Sequence, residues 1–425
     1  MRTRPTAFAV CLALGCITTV TPASETLTLD AAMARVVARH PDLQVFEFVQ
    51  AGLAANAEHA AQAPPLVAGL LLENASGTGE ISGLKGAELT LSLASVLERG
   101  GKREARRALA ASRIDALGVK RAGAQLDLLA EVAQRYLDLV AAQADATIAA
   151  DDLAQRVRTV TAATRRVQVG ASPESVQLAA EAMQARAELD AARADAAVAA
   201  AWRRLQSLWG AQAPEPVPAT SADPLRLPVL PDYAALHALL ERSPELRRFA
   251  DEARIREARL RLAATAASPD VDWQLGVRRL ESSDAWALLA GGSVALGSRG
   301  RAGPEIRAAR AELDALAFER ESGERRLDSV LAEAHGRYSA GRIEVERTAA
   351  GVLPRLVRAE ASAERAYRAG ALSYLDWAQL QRETTAARRQ QLAAAVSAHR
   401  ALIEIQRLTG EPLVPADSID KDTVP

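Results

Sequence analysis

Two segments of the chain alternate apolar and polar side chains with the period of a β-strand. The segment ELTLSLAS, which begins at Glu88, places its leucines on one face and its Glu, Thr and Ser residues on the other. VDWQLGVR, which begins at Val271, repeats this pattern, and a less regular partner accompanies each segment. We therefore predict four strands, at residues 65–74, 86–97, 270–280 and 285–297. Each is about ten residues long, enough for a tilted strand to cross a bilayer.

Long helical segments follow the strands. Residues 124–169 contain neither Gly nor Pro, and the segments 174–209 and 371–409 are nearly as long. Apolar residues such as Leu126, Leu129 and Val132 recur at steps of three and four, as in a coiled coil. The first segment predicts a helix of roughly 70 Å. Its charge is too high for a bilayer, so we expect these helices to pack against each other in water.

The strand-and-helix pattern occurs twice, at an interval of about 200 residues. LDAAMARVVARHPDL (29–43) corresponds to PDYAALHALLERSPEL (231–246), and LQSLWG (205–210) corresponds to IQRLTG (405–410). A proline-rich linker separates the copies. The predicted organisation is a signal peptide at 1–23, a first repeat at 24–210, a linker at 211–231, a second repeat at 232–410, and a loose C-terminal tail at 411–425.

Each repeat contains a helical hairpin turn, in RRVQVGASPESVQL (165–178) and RAYRAGALSYLDWAQL (365–380). The glycine of each turn tolerates the left-handed backbone that ends a helix. We predict Ser172 and Ser373 as N-caps, Pro173 at the first helical position, and Ser373 with Asp376 as a capping box. Because both turns end long helical pairs, they should lie together at one end of the molecule. In a closed oligomer, Asp376 would recur around the axis.

Four strands cannot close a barrel, and an open sheet edge is not tolerated in lipid. Two chains would supply eight strands, whereas three would supply twelve and begin to leave a lumen. Trp273 and Trp286 would suit the aromatic belts at the bilayer surfaces. The helices would then continue the barrel as an aqueous tube that lets solute pass. The periodicity equally allows a soluble antiparallel sheet that caps a helical bundle and buries its leucines against the helices.

Composition narrows the possible locations and partners. The formal net charge is −1 and the sequence pI is about 6.6, so nucleic acid is not an expected partner. Arg2 and Arg4 precede an apolar run and the small residues TPAS, which predicts a secretory signal cleaved after Ala23. Lipid attachment at Cys16 is the alternative. In both cases the mature chain has at most one cysteine, so a disulfide within the chain is excluded.

We predict no metal or cofactor site. The five histidines are scattered, without a Cys or carboxylate at ligand spacing. The segment GSRGRAG (297–303) lacks the Lys-Ser/Thr ending of a phosphate-binding loop. The basic segment LERGGKREARR (97–107) is interpreted as a solvated turn between strand and helix, with contact to lipid head groups as the alternative.

The chain resembles the TolC-like outer-membrane efflux proteins, and within them the cation-efflux, CzcC-like branch. LTLDAAMARVVARHPDL, ELTLSLASVLERGGKR, RRVQVGASPESVQLA and YRAGALSYLDWAQLQ carry the resemblance, which extends over residues 25 to 412. It implies a mainly α protein with a small β part, in which a homotrimer forms a 12-stranded outer-membrane β-barrel continued by a periplasmic α-helical barrel. Such proteins are not enzymes.

The resemblance also implies a function and partners. The chain would be the passive exit duct of a tripartite efflux system in a Gram-negative outer membrane, with a periplasmic adaptor and an inner-membrane pump of the resistance-nodulation-division type. The expected cargo is heavy-metal cations such as cobalt, zinc or cadmium. A duct for organic compounds and a soluble periplasmic coiled-coil scaffold are the alternatives.

The family's site residues transfer to two groups of positions. Those of the periplasmic tip gate are Tyr367, Asp376 and Gln379. Those of the adaptor-contact turns are Val169, Gly170, Ala171, Ala371, Leu372 and Ser373. This chain has Leu372 where some members carry a gate arginine, and Gln379 where they carry a second aspartate. We therefore expect its closed tip to be held differently. The second hairpin also departs from the family, since GGSVALGSRGRAG is rich in glycine and makes its register uncertain.

Overall fold

The computed structural model describes residues 26–79, 82–210 and 216–410. The predicted signal peptide, Cys16 and the C-terminal tail lie outside the described residues. The first repeat contains helices α1 (Leu29–Arg39) and α2 (Pro41–Ala60), strands β1 (Val67–Glu73) and β2 (Glu88–Leu97), and helices α3 (Lys102–Gln168) and α4 (Glu174–Gln206). The second contains α5 (Tyr233–Leu240), α6 (Pro244–Thr265), β3 (Val271–Leu280), β4 (Ala285–Val294), α7 (Ser298–Arg347), α8 (Leu353–Arg368) and α9 (Tyr374–Thr409).

The four strands form one antiparallel sheet in the order β1-β2-β3-β4. The predicted strands agree with those of the structure to within three residues at each end. The glycine-rich second hairpin keeps a regular register, from Val271 opposite Val294 to Leu280 opposite Ala285. Strand β4 ends at Val294 rather than at residue 297, because Gly297 adopts a left-handed backbone, φ 80°, immediately before α7.

The two faces of the sheet differ in polarity. One face presents apolar side chains that nothing covers: Leu91 and Leu275 are each 56% exposed and Leu288 is 88% exposed. Trp273 and Trp286 lie on this face, near its opposite ends. The soluble-sheet interpretation requires these leucines to be buried against helices, and in the described chain they are not. An uncovered apolar face is the arrangement that a lipid-facing sheet requires.

The other face carries a charged network at the end farthest from the long helices. The Arg278 guanidinium donates through Nη1 to a Glu88 carboxylate oxygen (2.6 Å), through Nη2 to Glu73 (2.8 Å) and through Nε to the Thr90 hydroxyl (2.9 Å). This network joins β1, β2 and β3. Because charge is costly toward lipid, this face is suited to a water-filled lumen.

The basic segment between β2 and α3 connects the sheet to the helices through specific contacts. Lys102 Nζ lies 2.7 Å from Asp270 Oδ2, and Arg106 Nη2 lies 2.9 Å from Glu98 Oε2. The Arg106 hydrogen bond holds the pKa of Glu98 below its usual range. Gly100 has φ 75°, and a Cβ there would lie 2.5 Å from the Ser268 Cβ. The segment is therefore a packed junction between sheet and helices. A turn that was merely solvated would not make these contacts.

The first long helix extends further than predicted, whereas α4 and α9 are each three residues shorter than the predicted segments. Helix α3 has 67 residues and begins at Lys102 rather than at residue 124, because the exposed Gly118 and the half-buried Gly123 do not interrupt it. In the second repeat, a π-helical turn at Thr348–Val352 separates α7 from α8 and precedes Pro354. Proline cannot donate the hydrogen bond of a helix interior, and this change of helical pitch accommodates it. Among the described residues, no helix is both long and apolar enough to cross a membrane.

A buried polar layer joins the helices of the two repeats. Arg156 in α3 is 4% exposed, and its Nη1 donates to Gln381 Oε1 in α9 at 2.8 Å. Gln381 Nε2 donates in turn to Thr159 Oγ1 at 2.9 Å, and Asp152 lies 3.1 Å from Arg156 Nη2. A buried charge is tolerated when it is paired and hydrogen-bonded in this way.

The described part of the linker, residues 216–231, follows the helices of both repeats. Gln143 Nε2 donates to Pro218 O at 2.8 Å, the half-buried His399 ring lies 3.0 Å from Pro224 O, and the Tyr338 hydroxyl donates to Pro228 O. Burial lowers the pKa of His399. The segment thus has no helix, as its prolines predict, but it is held in place by its carbonyl groups.

Candidate functional site

The two hairpin turns have the same backbone conformation. Gly170 (φ 70°) and Gly370 (φ 82°) both occupy the left-handed region. In each turn the glycine N–H donates to a carbonyl three residues earlier, and the next N–H donates to a carbonyl five residues earlier. These are the bonds that close a helix at a C-terminal glycine. The structure therefore confirms both predicted helix stops.

The two turns begin their second helices differently. Ser373 is the N-cap of α9: its Oγ accepts from Asp376 N at 3.3 Å and donates to Asp376 Oδ2 at 2.6 Å. Ser172 is not an N-cap, and Pro173 is not in the first helical position. Pro173 occupies the cap position with extended backbone, and α4 begins at Glu174. The prediction was wrong by one residue, because the 200-residue interval aligns Pro173, not Ser172, with Ser373.

Arg166 at the end of α3 connects the two turns. Its Nη1 donates to Tyr367 O at 2.7 Å, across to the second hairpin. Its Nε donates to Ser172 Oγ and its Nη2 to Ala171 O, both at 3.1 Å, within the first turn. The guanidinium also lies 5.1 Å from the centroid of the Tyr367 ring, as in a cation–π contact. The two turns are thus together at one end of the molecule, as predicted.

An aromatic cluster lies between the two hairpins at this end. It consists of Tyr367, Tyr374 and Trp377, with ring centroids 6.4 Å apart for the tyrosine pair and 5.1 Å apart for Tyr367 and Trp377. The rings pack against Ala163 of α3 and Ala180 of α4. Burial raises the pKa of both tyrosines, so they are neutral phenols in this packing.

The predicted gate residues have different environments. Tyr367 is buried in the aromatic cluster, whereas Asp376 and Gln379 are exposed on α9, and Gln379 Nε2 donates to Glu383 Oε1 at 3.0 Å. Leu372, where some relatives carry arginine, packs partly buried against the cluster. The guanidinium that contacts Tyr367 is that of Arg166, which comes from the other hairpin.

The predicted adaptor-contact residues lie at the tip surface. Val169 is 77% exposed, Leu372 is half-buried, and the others are exposed: Gly170, Ala171, Ala371 and Ser373. Leu375, which we did not select, is 70% exposed beside them.

Three residues of this site were missed in the sequence: Arg166, Tyr374 and Trp377. Tyr374 and Trp377 could have been selected from the sequence, because aromatic residues are rare in this chain, with only five Trp, five Tyr and five Phe. Three of these fifteen rings fall within residues 367–377. Arg166 had no such signal, since the adjacent Arg165 is equally charged but exposed.

Two of the histidines pack beside Tyr233 in the second repeat. His237 Nε2 lies 3.3 Å from Asp328 Oδ1, and the Tyr233 hydroxyl donates to the same carboxylate. The His335 ring contacts Tyr233 edge-on. His237 is therefore paired with a carboxylate that is distant in sequence. The described residues contain no group of three or more His, Cys, Asp or Glu side chains placed to hold a metal ion.

Known proteins resemble the chain in sequence and in fold. Residues 33–211 match the family described as outer membrane efflux protein. The chain is 27% identical over 314 residues to the cobalt-zinc-cadmium resistance protein CzcC of Cupriavidus metallidurans, across 74% of this chain and 75% of that protein.

Two solved structures share the fold. The match to CusC has a TM-score of 0.75 at 16% identity and covers 90% of this chain and 91% of CusC. The match to the MtrE outer membrane channel of Neisseria gonorrhoeae, solved in an open state, has a TM-score of 0.68 at 19% identity and covers 90% and 88%.

These findings confirm the predicted resemblance and the fold class. The chain is mainly helical with a small antiparallel sheet, and its architecture is that of the TolC-like channels, in which a barrel in the outer membrane continues as a helical tunnel in the periplasm. The family consists of channels for efflux and not of enzymes.

Proposed function

We propose that the chain is the exit duct for heavy-metal cations such as cobalt, zinc or cadmium in a tripartite system, since its residues 33–211 match the family described as outer membrane efflux protein. The observation that carries this cargo is the similarity to CzcC, which spans about three quarters of both chains. A duct needs no tight metal site, since conduction requires that ions leave as readily as they enter.

The proposed assembly is a homotrimer. Strands β1 and β4 are the edges of the described sheet, and an open edge is not tolerated in lipid. Each repeat would contribute one hairpin, so three chains would close a barrel of twelve strands. The partners would be a periplasmic adaptor protein, which binds at the tip, and an inner-membrane pump of the resistance-nodulation-division type.

The assembly is tested by the mass of the detergent-solubilised protein from the outer-membrane fraction, together with conductance in a planar bilayer. A trimer that requires detergent and conducts is expected. A monomer extracted without detergent would instead support the soluble scaffold.

The cargo is tested in a strain that lacks the gene. We expect growth inhibition by cobalt, zinc or cadmium at concentrations that the parent strain tolerates, with unchanged tolerance of organic antimicrobials, and rescue by the intact gene. Sensitivity to organic compounds alone would favour the organic-compound duct, which has the same architecture. The pump and adaptor genes remain intact in this strain, so only the duct is tested.

The residues at the tip would form the gate of the duct and the surface that contacts the adaptor. Asp376 is exposed at the start of α9, and a trimer would present three such carboxylates around the axis. Val169, Gly170 and Ala171 in one turn, with Ala371, Leu372 and Ser373 in the other, would contact the adaptor.

Asp376→Ala should change the single-channel conductance or cation preference and leave trimer assembly intact. The capping contribution that it removes is only about 1 kcal/mol, whereas it removes the charge from every copy of the proposed ring. Glu174→Ala is the matched control, since Glu174 is an exposed carboxylate in the first turn of α4, at the same end of the molecule. Equal single-channel conductance and equal ion selectivity in the wild type and Asp376→Ala would refute the role of Asp376 in the gate.

A further inference from the structure

The five tyrosines of the chain fall into two groups according to their hydroxyls. Away from the tip, Tyr136 donates to Leu27 O at 2.9 Å, Tyr233 donates to the Asp328 carboxylate, and Tyr338 donates to Pro228 O. At the tip, the hydroxyls of Tyr367 and Tyr374 are buried and have no hydrogen-bond partner among the described residues. A buried tyrosine normally satisfies its hydroxyl, as Tyr136 and Tyr338 do, and as the half-buried Tyr233 also does. The exception is therefore confined to the tip.

The indole of Trp377 shares this property. Its Nε1 is also buried without a hydrogen-bond partner in the described part of the chain. The exposed fractions of Tyr367, Tyr374 and Trp377 are 2%, 5% and 3%. The aromatic cluster thus contains three polar atoms that lose their bonds to water without replacement, which opposes the packing in which they are buried.

The cluster lies where the two hairpins meet. The three rings belong to α8 and α9, and the small side chains of Ala163 and Ala180 receive them on α3 and α4. Moving the α8–α9 hairpin away from the α3–α4 hairpin would expose the rings to water and satisfy all three polar atoms. It would also break the bond from Arg166 to Tyr367 O. The same contact therefore combines interactions that hold the hairpins together, namely the packing of the rings and the two contacts of Arg166 with Tyr367, with three unpaired polar atoms that favour separation.

We propose that Tyr374 and Trp377 are gating residues whose unsatisfied polar atoms keep the closed tip easy to open. Their rings seal the two hairpins, while their buried hydroxyl and indole N–H limit the stability of that seal. This inference rests on the proposed function as a duct, and it adds to the gate two residues outside the set Tyr367, Asp376 and Gln379.

Tyr374→Phe tests the inference, because it keeps the ring and removes one unsatisfied hydroxyl. The closed tip should become more stable, so the open probability of single channels in planar bilayers should fall about tenfold, in line with the cost of a buried unpaired group. The thermal unfolding midpoint of the detergent-solubilised protein should rise. A purely structural tyrosine would show no lower open probability.

Tyr136→Phe is the matched control, because it makes the same chemical change where the hydroxyl has a partner. It should lower the unfolding midpoint, since Leu27 O loses its donor, and leave the open probability unchanged. Wild-type or higher opening of Tyr374→Phe would overturn the inference. A common decrease in both variants would do so as well, because the effect would then not be specific to the tip.

A second readout separates this inference from the duct itself. Spin labels on cysteines introduced at Val169 and Leu375, both exposed at the tip, report the separation of the two hairpins without requiring conduction. The native cysteines at positions 11 and 16 are replaced by serine. Tyr374→Phe should reduce the population with the longer distance. A trimer that fails to conduct would refute the duct, whereas an unchanged distance distribution in a conducting trimer would refute only the gating role.

Discussion

Leu275→Arg is expected to abolish stable insertion of the sheet into the outer membrane. Leu275 lies near the middle of β3, on the uncovered apolar face, opposite Leu93 and Ala290. An arginine on the lipid face at the bilayer midplane costs about 2–4 kcal/mol. In a homotrimer the substitution occurs three times, which exceeds what a marginally stable assembly tolerates. The measurement is the fraction of folded, detergent-extractable oligomer in the outer-membrane fraction.

Gln274→Arg is the control for this prediction. Gln274 is the preceding residue on β3, and the period of the strand places it on the opposite, polar face. The same charge there would enter the lumen, so we expect normal insertion and a reduced preference for cations. Normal insertion of Leu275→Arg, or equal failure of both variants, would contradict the assignment of the two faces.

Most of the fold was predictable because its elements have unusually clear periods. The leucines of β2 and the alternation of β3 locate both strands, and the 200-residue repeat extends the assignment to the weaker strands. The glycines and prolines were less informative. An exposed Gly118 costs a helix little when both flanks strongly favour helix, so α3 began earlier than predicted. Pro354 likewise did not reveal whether the helix would end or change pitch, and the structure shows a π-helical turn at Thr348–Val352 before it.

The tip was less predictable than the fold. The two turns could be located from their glycines, because a helix stop is a local property. The contact between Arg166 and Tyr367 depends on the packing of two hairpins that are 200 residues apart, and local sequence does not determine it. The family resemblance indicated Tyr367 but placed the gate arginine at position 372, where this chain has leucine. The structure shows a cation from the opposite hairpin bonded to the tyrosine carbonyl.

Arg166→Ala is expected to shift the tip strongly toward the open form. The substitution removes the charged hydrogen bond to Tyr367 O and the cation–π contact with its ring, which are its two interactions between the hairpins. Together these are worth about 3 kcal/mol, so the ratio of open to closed tips should rise about a hundredfold. The resting conductance of single channels in planar bilayers should increase accordingly.

Arg165→Ala separates this effect from a general loss of positive charge at the tip. Arg165 is the adjacent residue but is exposed, so its removal should leave the resting conductance unchanged. Arg166→Lys keeps the charge but cannot reproduce the planar fork that reaches Tyr367 O, Ser172 and Ala171 at once, so an intermediate conductance is expected. If Arg166→Lys matched the wild type, charge alone would hold the tip closed. If Arg166→Ala matched it, Arg166 would stabilise only the first turn, and the aromatic cluster would be the remaining contact that holds the hairpins together.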